Sequence, residues 1–260
     1  MNSATLKVGS IGPEVGNWQL FLAELDMRDT NGKAIVPDEH FGAKTESATR
    51  RWQGIAGLPM NGVVDLEARV LAYALGFIPF VQAKNFTRVT QPARAIDVLV
   101  IHTMENDEKG EQAENVALWF AGRTAYAAPK ASAHYCIDHN SVVQCVRDGD
   151  VAWHAPGANH NGIGLELAGR ARQTPAQWAD EDSRAVLTRA ALLSAKLCRR
   201  YAIPIVTLLP EQVKTGERGI CGHFTVTSAF KTRGGHTDPG VSFPWDAFIN
   251  EVQIAYDGLP

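Results

Sequence analysis

Residues 96–102 read "IDVLVIH", a nearly unbroken apolar run that ends in a histidine. Such a run, without alternating polar positions, is typical of a strand buried on both faces of a sheet. Residues 162–168, "GIGLELA", predict a second strand of the same kind. Between these strands, residues 113–122 have helical spacing, and residues 133–146, "AHYCIDHNSVVQCV", read as a hairpin. This part of the chain therefore alternates strands with helices.

Two more helical patterns follow, at residues 184–203 and 243–256. In the first of them, apolar side chains recur at the spacing of one buried helical face. Strands interleaved with helices are typical of a single sheet with helices packed on its faces. We therefore predict an α/β fold in which a mixed central β-sheet is covered by α-helices.

The first 76 or so residues predict a separate bundle of three short helices. A helix that begins near Pro13 carries Trp18, and a second helix carries Trp52. Asp65 can cap a third helix, which Gly76 ends. The two tryptophans are the largest apolar side chains of these helices, so we expect the bundle to pack around them.

Residues 40–65, "HFGAKTESATRRWQGIAGLPMNGVVD", resemble the repeat of three-helix peptidoglycan-binding modules. The chain has Trp52 where phenylalanine is usual in that family, and Asn61-Gly62 where aspartate-glycine is usual. The resemblance covers residues 5–76 and implies a module that binds bacterial peptidoglycan without catalysing a reaction.

The composition excludes several classes of function. The formal net charge is only −3, so no broad basic field attracts the chain to nucleic acid or anionic lipid. No apolar stretch approaches the ~20 residues of a membrane span. The first 15 residues lack the basic segment and apolar core of a secretory signal. We therefore expect a protein that is made in the cytoplasm and does not insert stably into membranes.

The four cysteines are expected to be buried, reduced thiols. They form no C-x-x-C pair, and a chain of 260 residues does not need disulfides to fold. If His139 and Asn140 form the turn of the predicted hairpin, Cys136 lies opposite Val143. Cys145 is then its diagonal neighbour across the hairpin.

Histidines and one glutamate mark the chemistry of the α/β region. Seven of the eight histidines lie there, and His102 ends the first predicted strand. Glu166 lies inside the apolar strand at residues 162–168, where a carboxylate costs several kcal/mol unless it is paired, hydrogen-bonded or near a metal. Residues 220–240, "ICGHFTVTSAFKTRGGHTDPG", read as one glycine-rich loop that carries further ligand-capable side chains.

A catalytic zinc takes three protein ligands and keeps a fourth position for water. His102, His223 and Asp238 could supply these ligands from separate segments. Glu166 would then serve as the general base of a metal-assisted amide hydrolysis. Spacing alone does not select this set, because other ligand-capable side chains are available: His134, His154, His236 and Cys221.

Five segments resemble, in order and rough spacing, the motifs of the zinc-dependent N-acetylmuramoyl-L-alanine amidases, a family that includes peptidoglycan recognition proteins. They are "VLVIHTM" at 98–104, "ASAHYCID" at 131–138, "VAWHAPG" at 151–157, "GIGLELAG" at 162–169 and "GH…TDPGVSFPW" at 222–245. The resemblance covers nearly all of residues 95–250. It implies that Zn²⁺ is held by His102, His223 and Asp238, and that Glu166 activates water. The bond cleaved would be the amide between N-acetylmuramic acid and L-alanine.

His236 stands two residues before Asp238, where many relatives have a lysine thought to stabilise an oxyanion. A histidine could also donate a hydrogen bond to an oxyanion, so we predict a catalytic role for His236. The glycines of "TRGG", residues 232–235, predict a sharp backbone turn before it. We expect His134 and His154 to line the groove or to support the metal ligands.

The two resemblances together predict three segments: a peptidoglycan-binding domain at 1–78, a linker at 79–95 and a zinc amidase domain at 96–260. Trp119 and Trp153 are expected in the core. The predicted partner is bacterial peptidoglycan, and the protein is expected to be a monomer. This pairing of domains resembles phage endolysins, which accumulate in the host cytoplasm and act on the wall after release. Two alternatives are a recognition protein that binds peptidoglycan without cutting it and a bacterial housekeeping amidase.

Overall fold

A computed structural model describes residues 5–231 and 235–259. The chain divides into two compact units, Met1–Phe80 and Val81–Pro260. Among the described residues, no helix combines the length and the apolar character that a membrane crossing requires.

The first unit is the predicted three-helix bundle. Trp18 and Trp52 are both buried in its core, with ring centroids 5.2 Å apart in an edge-to-face arrangement. The indole N–H of Trp18 donates to Thr49 Oγ1 at 2.9 Å, so the buried ring leaves no unpaired donor. Asp65 caps the third helix, as its position in the sequence predicts. The helices are α1 (Pro13–Glu24), α2 (Ala43–Ile55) and α3 (Leu66–Ala74).

The second unit is an α/β domain. Its described elements are β1 (Phe86–Thr87), β2 (Val98–Thr103), α4 (Gln112–Phe120), β3 (Tyr135–Ile137), β4 (Val142–Gln144), β5 (Val151–Ala152), β6 (Gly162–Leu167), α5 (Pro175–Trp178), α6 (Glu181–Tyr201), α7 (Pro210–Thr215), β7 (Gly219–Gly222), α8 (His223–Phe230) and α9 (Trp245–Asp257).

Five of these strands form one mixed sheet in the order β4-β3-β6-β2-β7. Strands β3, β6, β2 and β7 run parallel to one another, and β4 at one edge is antiparallel to β3. Every residue of β2 is buried, which confirms the sequence-based prediction of a strand covered on both faces. Helices α7 and α8 pack over the face that carries Val98 and Val100, while α6 packs on β3 and β6. The predicted fold class is therefore confirmed.

The hairpin has the predicted register. Cys136 lies opposite Val143, and the Cys136 and Cys145 sulfurs approach to 3.7 Å as free, buried thiols. Because β3 also pairs in parallel with β6, Cys136 lies beside Glu166 in the sheet. Strand β2, which pairs with the other edge of β6, places His102 on the opposite side of Glu166 from Cys136. This register forms a row of three side chains at the carboxyl edge of the sheet.

The prediction of one loop at residues 220–240 was wrong. This segment contains β7, then the helix α8, and only afterwards a loop. His223, Val226 and Ala229 recur every three residues, and all three are buried. The glycines at both ends of the segment concealed this helical spacing. Residues 232–234 of the predicted turn lie outside the described residues, and Gly235 has a φ of 58°.

Residues 81–95, predicted as part of a linker, pack on the second unit. Val81 and Ala83 are buried in a core cluster with the hairpin, and the short strand β1 pairs with β5. Arg94 reaches the sheet interior, where its guanidinium donates to the carbonyl of Gly162 and lies 2.9 Å from His134 Nε2. These contacts attach the segment firmly to the α/β unit.

Burial and the neighbouring charge of Arg94 lower the pKa of His134 to about 3. The unfolded chain takes up a proton near pH 6.5, whereas the folded chain does so only near pH 3. Stability should therefore fall as the pH drops below about 6.5, by about 2 kcal/mol from this group between pH 6.5 and 5. We predict that His134→Asn, which keeps an acceptor for the Gly164 N–H, loses less stability over that interval than the wild type. Urea unfolding at both pH values measures the difference.

The matched control is His160→Asn, because the His160 side chain is exposed. This variant should keep the pH dependence of the wild type. Equal pH dependence in His134→Asn and the wild type would show that His134 is not held neutral by its surroundings.

Candidate metal centre and active site

The three predicted metal ligands meet at the carboxyl edge of the sheet. His102 is near the end of β2, His223 begins α8 directly after β7, and Asp238 lies in the loop before α9. Asp238 Oδ2 is 3.1 Å from His102 Nδ1 and 3.3 Å from His223 Nδ1. One ligand atom from each residue lies within 4.8 Å of the other two. Three side chains from distant parts of the sequence thus converge on one point.

The electrostatics of the cluster favour an ionised Asp238 beside a neutral His102. Burial alone would raise the pKa of Asp238, but hydrogen bonds from His102 and His223 outweigh it and hold that pKa well below its usual range. Burial lowers the pKa of His102, and the contact with Asp238 only partly offsets this effect. Two imidazole nitrogens and a carboxylate oxygen are the donor types that zinc binds.

The contacts also test whether a metal fits. Both histidines direct Nδ1 at the same carboxylate oxygen, and His223 Nε2 is buried without a hydrogen-bond partner among the described residues. An ion at the shared point would take the place of the protons that now bridge the histidines to Asp238. The residues present therefore fit a divalent metal with nitrogen and oxygen ligands.

Glu166 lies beside this cluster and is half-buried. Its place in the register with His102 puts both side chains on the same face of the sheet, in adjacent strands. Among the described residues, no side chain forms an ion pair or hydrogen bond with the Glu166 carboxylate. Burial raises its pKa well above the usual value, and the carboxylates of Asp238 and Glu105 raise it further. An unpaired carboxyl group with a raised pKa is a stronger base than an ordinary carboxylate, which suits it to accept and return a proton.

His236 lies on the open side of the cluster. Its ring stacks on His223 with centroids 3.8 Å apart, and its Nδ1 is 3.7 Å from Asp238 Oδ1. About half of its side chain is exposed. Burial and the nearby His223 lower its pKa, against the opposing effect of Asp238. The ring is thus close enough to reach a substrate at this point, although its predicted catalytic role stays a prediction.

The other ligand-capable residues do not join the cluster. Cys221 lies one row deeper in the sheet, in register with Val100, and burial raises its thiol pKa to about 12. His154 does contact a predicted ligand, because its Nδ1 is 3.0 Å from His102 Nε2. His134 lies further away and packs edge-on against His154. His154 therefore lies where a residue that supports a metal ligand was expected. His134 neither touches the cluster nor lines the groove.

A groove of about 510 Å³ opens over the cluster. Trp119 and Trp153 line it and are 38% and 40% exposed, so the expectation that they lie in the core was wrong. Their indole N–H groups donate to the Ala127 carbonyl and to Thr87 Oγ1, which holds the rings in the groove wall. These partners satisfy the polar edge of each ring at the groove wall.

Glu105 is a groove residue that sequence reasoning missed. It lines the groove near Glu166 and has a φ of 58°, which is uncommon for a residue with a side chain. Its carboxylate accepts hydrogen bonds from Thr103 Oγ1 and the backbone N–H of Ala171. Its only sequence signal is its place just after β2, at the edge of the sheet where side chains converge.

Comparison with known proteins gives two family matches. Residues 92–241 match the family model for N-acetylmuramoyl-L-alanine amidase, and residues 11–69 match that for a peptidoglycan binding domain. The N-acetylmuramoyl-L-alanine amidase A of Achromobacter lyticus is 27% identical over 183 residues, which cover 65% of this chain and 89% of that protein.

Similar solved structures include a derivative of AmpD and a hydrolase named AmiA. A selenomethionine derivative of AmpD is 22% identical, covers 67% of this chain and 94% of its own, and gives a TM-score of 0.48. The Staphylococcus aureus hydrolase AmiA in complex with its ligand is 14% identical, covers 74% of this chain and 91% of its own, and gives a TM-score of 0.48. The amidase family model spans more than half of the 260 residues. The chain therefore belongs to the N-acetylmuramoyl-L-alanine amidase family.

Proposed function

We propose that this protein hydrolyses the amide bond between the lactyl group of N-acetylmuramic acid and the L-alanine of the peptidoglycan stem peptide, with zinc held by His102, His223 and Asp238. The observation that carries the proposal is the convergence of three ligand atoms within 4.8 Å of one another. It occurs in the floor of a groove large enough for a substrate.

Zinc at this point would supply a Lewis acid for the scissile carbonyl and lower the pKa of an attacking water. Glu166 is the proposed general base. It takes the proton of that water and later delivers it to the amine of the leaving alanine. Its position beside His102, and the lack of an ion-pair partner for it in the part of the chain that the structure describes, support this role. A carboxyl group neutralised by a lysine or arginine would be a weaker base.

His236 is proposed to stabilise the oxyanion of the tetrahedral intermediate. Stacking on His223 holds its ring at the open side of the cluster, and the ring reaches the groove. An imidazole N–H directed at the developing negative charge lowers its energy in a site from which water is partly excluded. Trp119 and Trp153 form the apolar wall against which the substrate lies.

The N-terminal unit is proposed to hold the enzyme on the wall polymer. Attachment of a binding unit to a catalytic unit raises the effective concentration of cleavable bonds near the groove. The match of residues 11–69 to a peptidoglycan-binding family supports this assignment. In this proposal the insoluble polymer is the partner of both units.

Removal of the metal should abolish activity. Protein treated with a chelator is expected to release no stem peptide from purified peptidoglycan, and added zinc should restore release. His223→Ala should contain no zinc by elemental analysis and should not be restored. Mass spectrometry of the products should find free N-terminal L-alanine. Full activity in zinc-free protein would contradict the proposed mechanism.

Replacement of Glu166 by glutamine separates chemistry from metal binding. Glu166→Gln should keep its zinc but lose about 10²- to 10⁴-fold in kcat, the usual contribution of a general base. Glu114→Gln is the matched control, because Glu114 is also half-buried with a pKa raised by burial but lies outside the groove. The control should keep nearly full activity. Equal activity of the two variants would remove Glu166 from the mechanism.

The proposed deployment is that of a phage endolysin, made in the host cytoplasm and released to the wall during lysis. The presence of wall-binding and amidase family matches in one chain supports a wall-directed enzyme of this kind. Expression in a Gram-negative bacterium should cause lysis only when a membrane pore is formed at the same time. Lysis without a pore would instead favour an exported housekeeping amidase.

A further inference from the structure

The segment "VAWHAPG", residues 151–157, brings a second histidine to the back of a proposed metal ligand. His154 Nδ1 is 3.0 Å from His102 Nε2, the nitrogen that faces away from Asp238. Both rings are buried and meet edge-on, with centroids 5.2 Å apart. Each nitrogen of His102 therefore has one partner, Asp238 on one side and His154 on the other.

These contacts determine which nitrogen carries the proton. An ionised carboxylate only accepts hydrogen bonds, so His102 Nδ1 must carry a proton when it donates to Asp238. A neutral imidazole has one N–H, so His102 Nε2 then accepts from the Nδ1–H of His154. A metal bound to His102 Nδ1 needs that nitrogen unprotonated. The proton must then be on His102 Nε2, which donates to His154 Nδ1.

We propose that His154 is a positioning residue that holds the His102 ring with Nδ1 directed at the metal, and that metal binding inverts the tautomers of both rings. The proposal rests on the zinc site of the proposed function. Ligand histidines in metal sites commonly donate their second N–H to a partner that fixes the tautomer and orientation of the ring. Here the partner is a second imidazole, which can change from donor to acceptor without moving.

The fold provides a built position for the His154 ring. A Cβ atom on Gly164 would lie 2.6 Å from that ring, so the glycine in the middle of β6 makes space for it. The side chain of Asn159 accepts from the backbone N–H groups of His154 and Ala155, at 3.0 and 2.7 Å, which fixes the bend that directs the ring inward. Gly164 of "GIGLELA" thus leaves the space that the ring of His154 in "VAWHAPG" occupies.

The His154 ring also lies close to the backbone of Gly162, which acts against the lowering of its pKa by burial. Its Nε2 is buried without a hydrogen-bond partner of ordinary geometry among the described residues. The contact with His102 is therefore the one side-chain hydrogen bond of ordinary geometry that the His154 ring makes among the described residues. A buried, unsatisfied nitrogen is costly. An apolar side chain would avoid that cost, but it could not support His102.

The test compares three variants of the full chain by zinc affinity, measured in competition with a chromophoric chelator. In His154→Asn the side-chain oxygen can occupy the place of Nδ1 and accept from His102. In His154→Gln the amide extends toward the place of Nε2. We expect His154→Ala and His154→Gln to lose about 10- to 100-fold in zinc affinity, the usual cost of removing such a partner. We expect His154→Asn to stay within about threefold of the wild type.

His160→Ala is the matched control, an exposed histidine a few residues further along the chain, and should bind zinc like the wild type. Circular dichroism of each zinc-free variant establishes that it is folded. If His154→Ala does not fold, the comparison of the asparagine and glutamine variants still decides the matter. Equal affinity in those two variants, whether strong or weak, would overturn the proposal.

A second readout follows the protons themselves. Two-bond ¹⁵N–¹H correlation spectra of the wild type should show His154 protonated on Nδ1 without zinc and on Nε2 with zinc. A tautomer that does not change on zinc binding would overturn the inversion. If the wild type bound no zinc at all, the proposed function would fail first. If it bound zinc while His154→Ala bound equally well, only the role of His154 would fail.

Discussion

The parallel pairing of β2 with β6 and β7 is the constraint on which the site depends. Pairing of β2 with β6 places His102 beside Glu166, and pairing with β7 ends where Gly222 lies next to Ile101. The chain then turns into α8, so His223 is delivered to the same edge. Because side chains alternate between faces along a strand, a shift of one residue would point His102 and Glu166 into opposite layers. The relative positions of the side chains in the site are therefore set by the register of the sheet.

The same edge concentrates groups that are difficult to bury without an ion. Asp238 remains an anion, since its neighbouring imidazoles hold its pKa down, while burial keeps His102 and His154 neutral. Among the described residues Glu166 has no ion-pair or hydrogen-bond partner for its carboxylate, and its pKa is raised. Buried charges without compensation are costly, and this cost is balanced where a divalent cation binds among them. We regard this imbalance as the physical reason that the cluster suits a metal.

Much of the fold could be predicted because its patterns are local. The unbroken apolar runs of β2 and β6 and the helical spacing around Trp18 and Trp52 each depend on side chains within a few residues of one another. Local patterns could not predict that His102, His223 and Asp238 come together. Their convergence depends on strand pairing between segments more than 100 residues apart. Spacing alone left several histidines and a cysteine as alternatives, and the family resemblance selected among them.

What the sequence concealed depends on tertiary contacts. The sequence predicts a loop at α8 because glycines flank a short segment whose apolar face is recognisable only when it packs on the sheet. Trp119 and Trp153 were expected in the core, whereas partners at the surface hold their N–H groups at the groove. Glu105 had no sequence signal beyond its place after a strand. The contact between His154 and Gly164 could not be read from either motif separately.

The central claim is that one zinc ion is shared by side chains from three segments. Diffraction from crystals grown with zinc, with data collected on both sides of the zinc absorption edge, tests it directly. The account predicts one strong anomalous peak within about 2.0–2.2 Å of His102 Nδ1, His223 Nδ1 and an Asp238 carboxylate oxygen. The absence of a peak there, or a peak held by other residues, would contradict it.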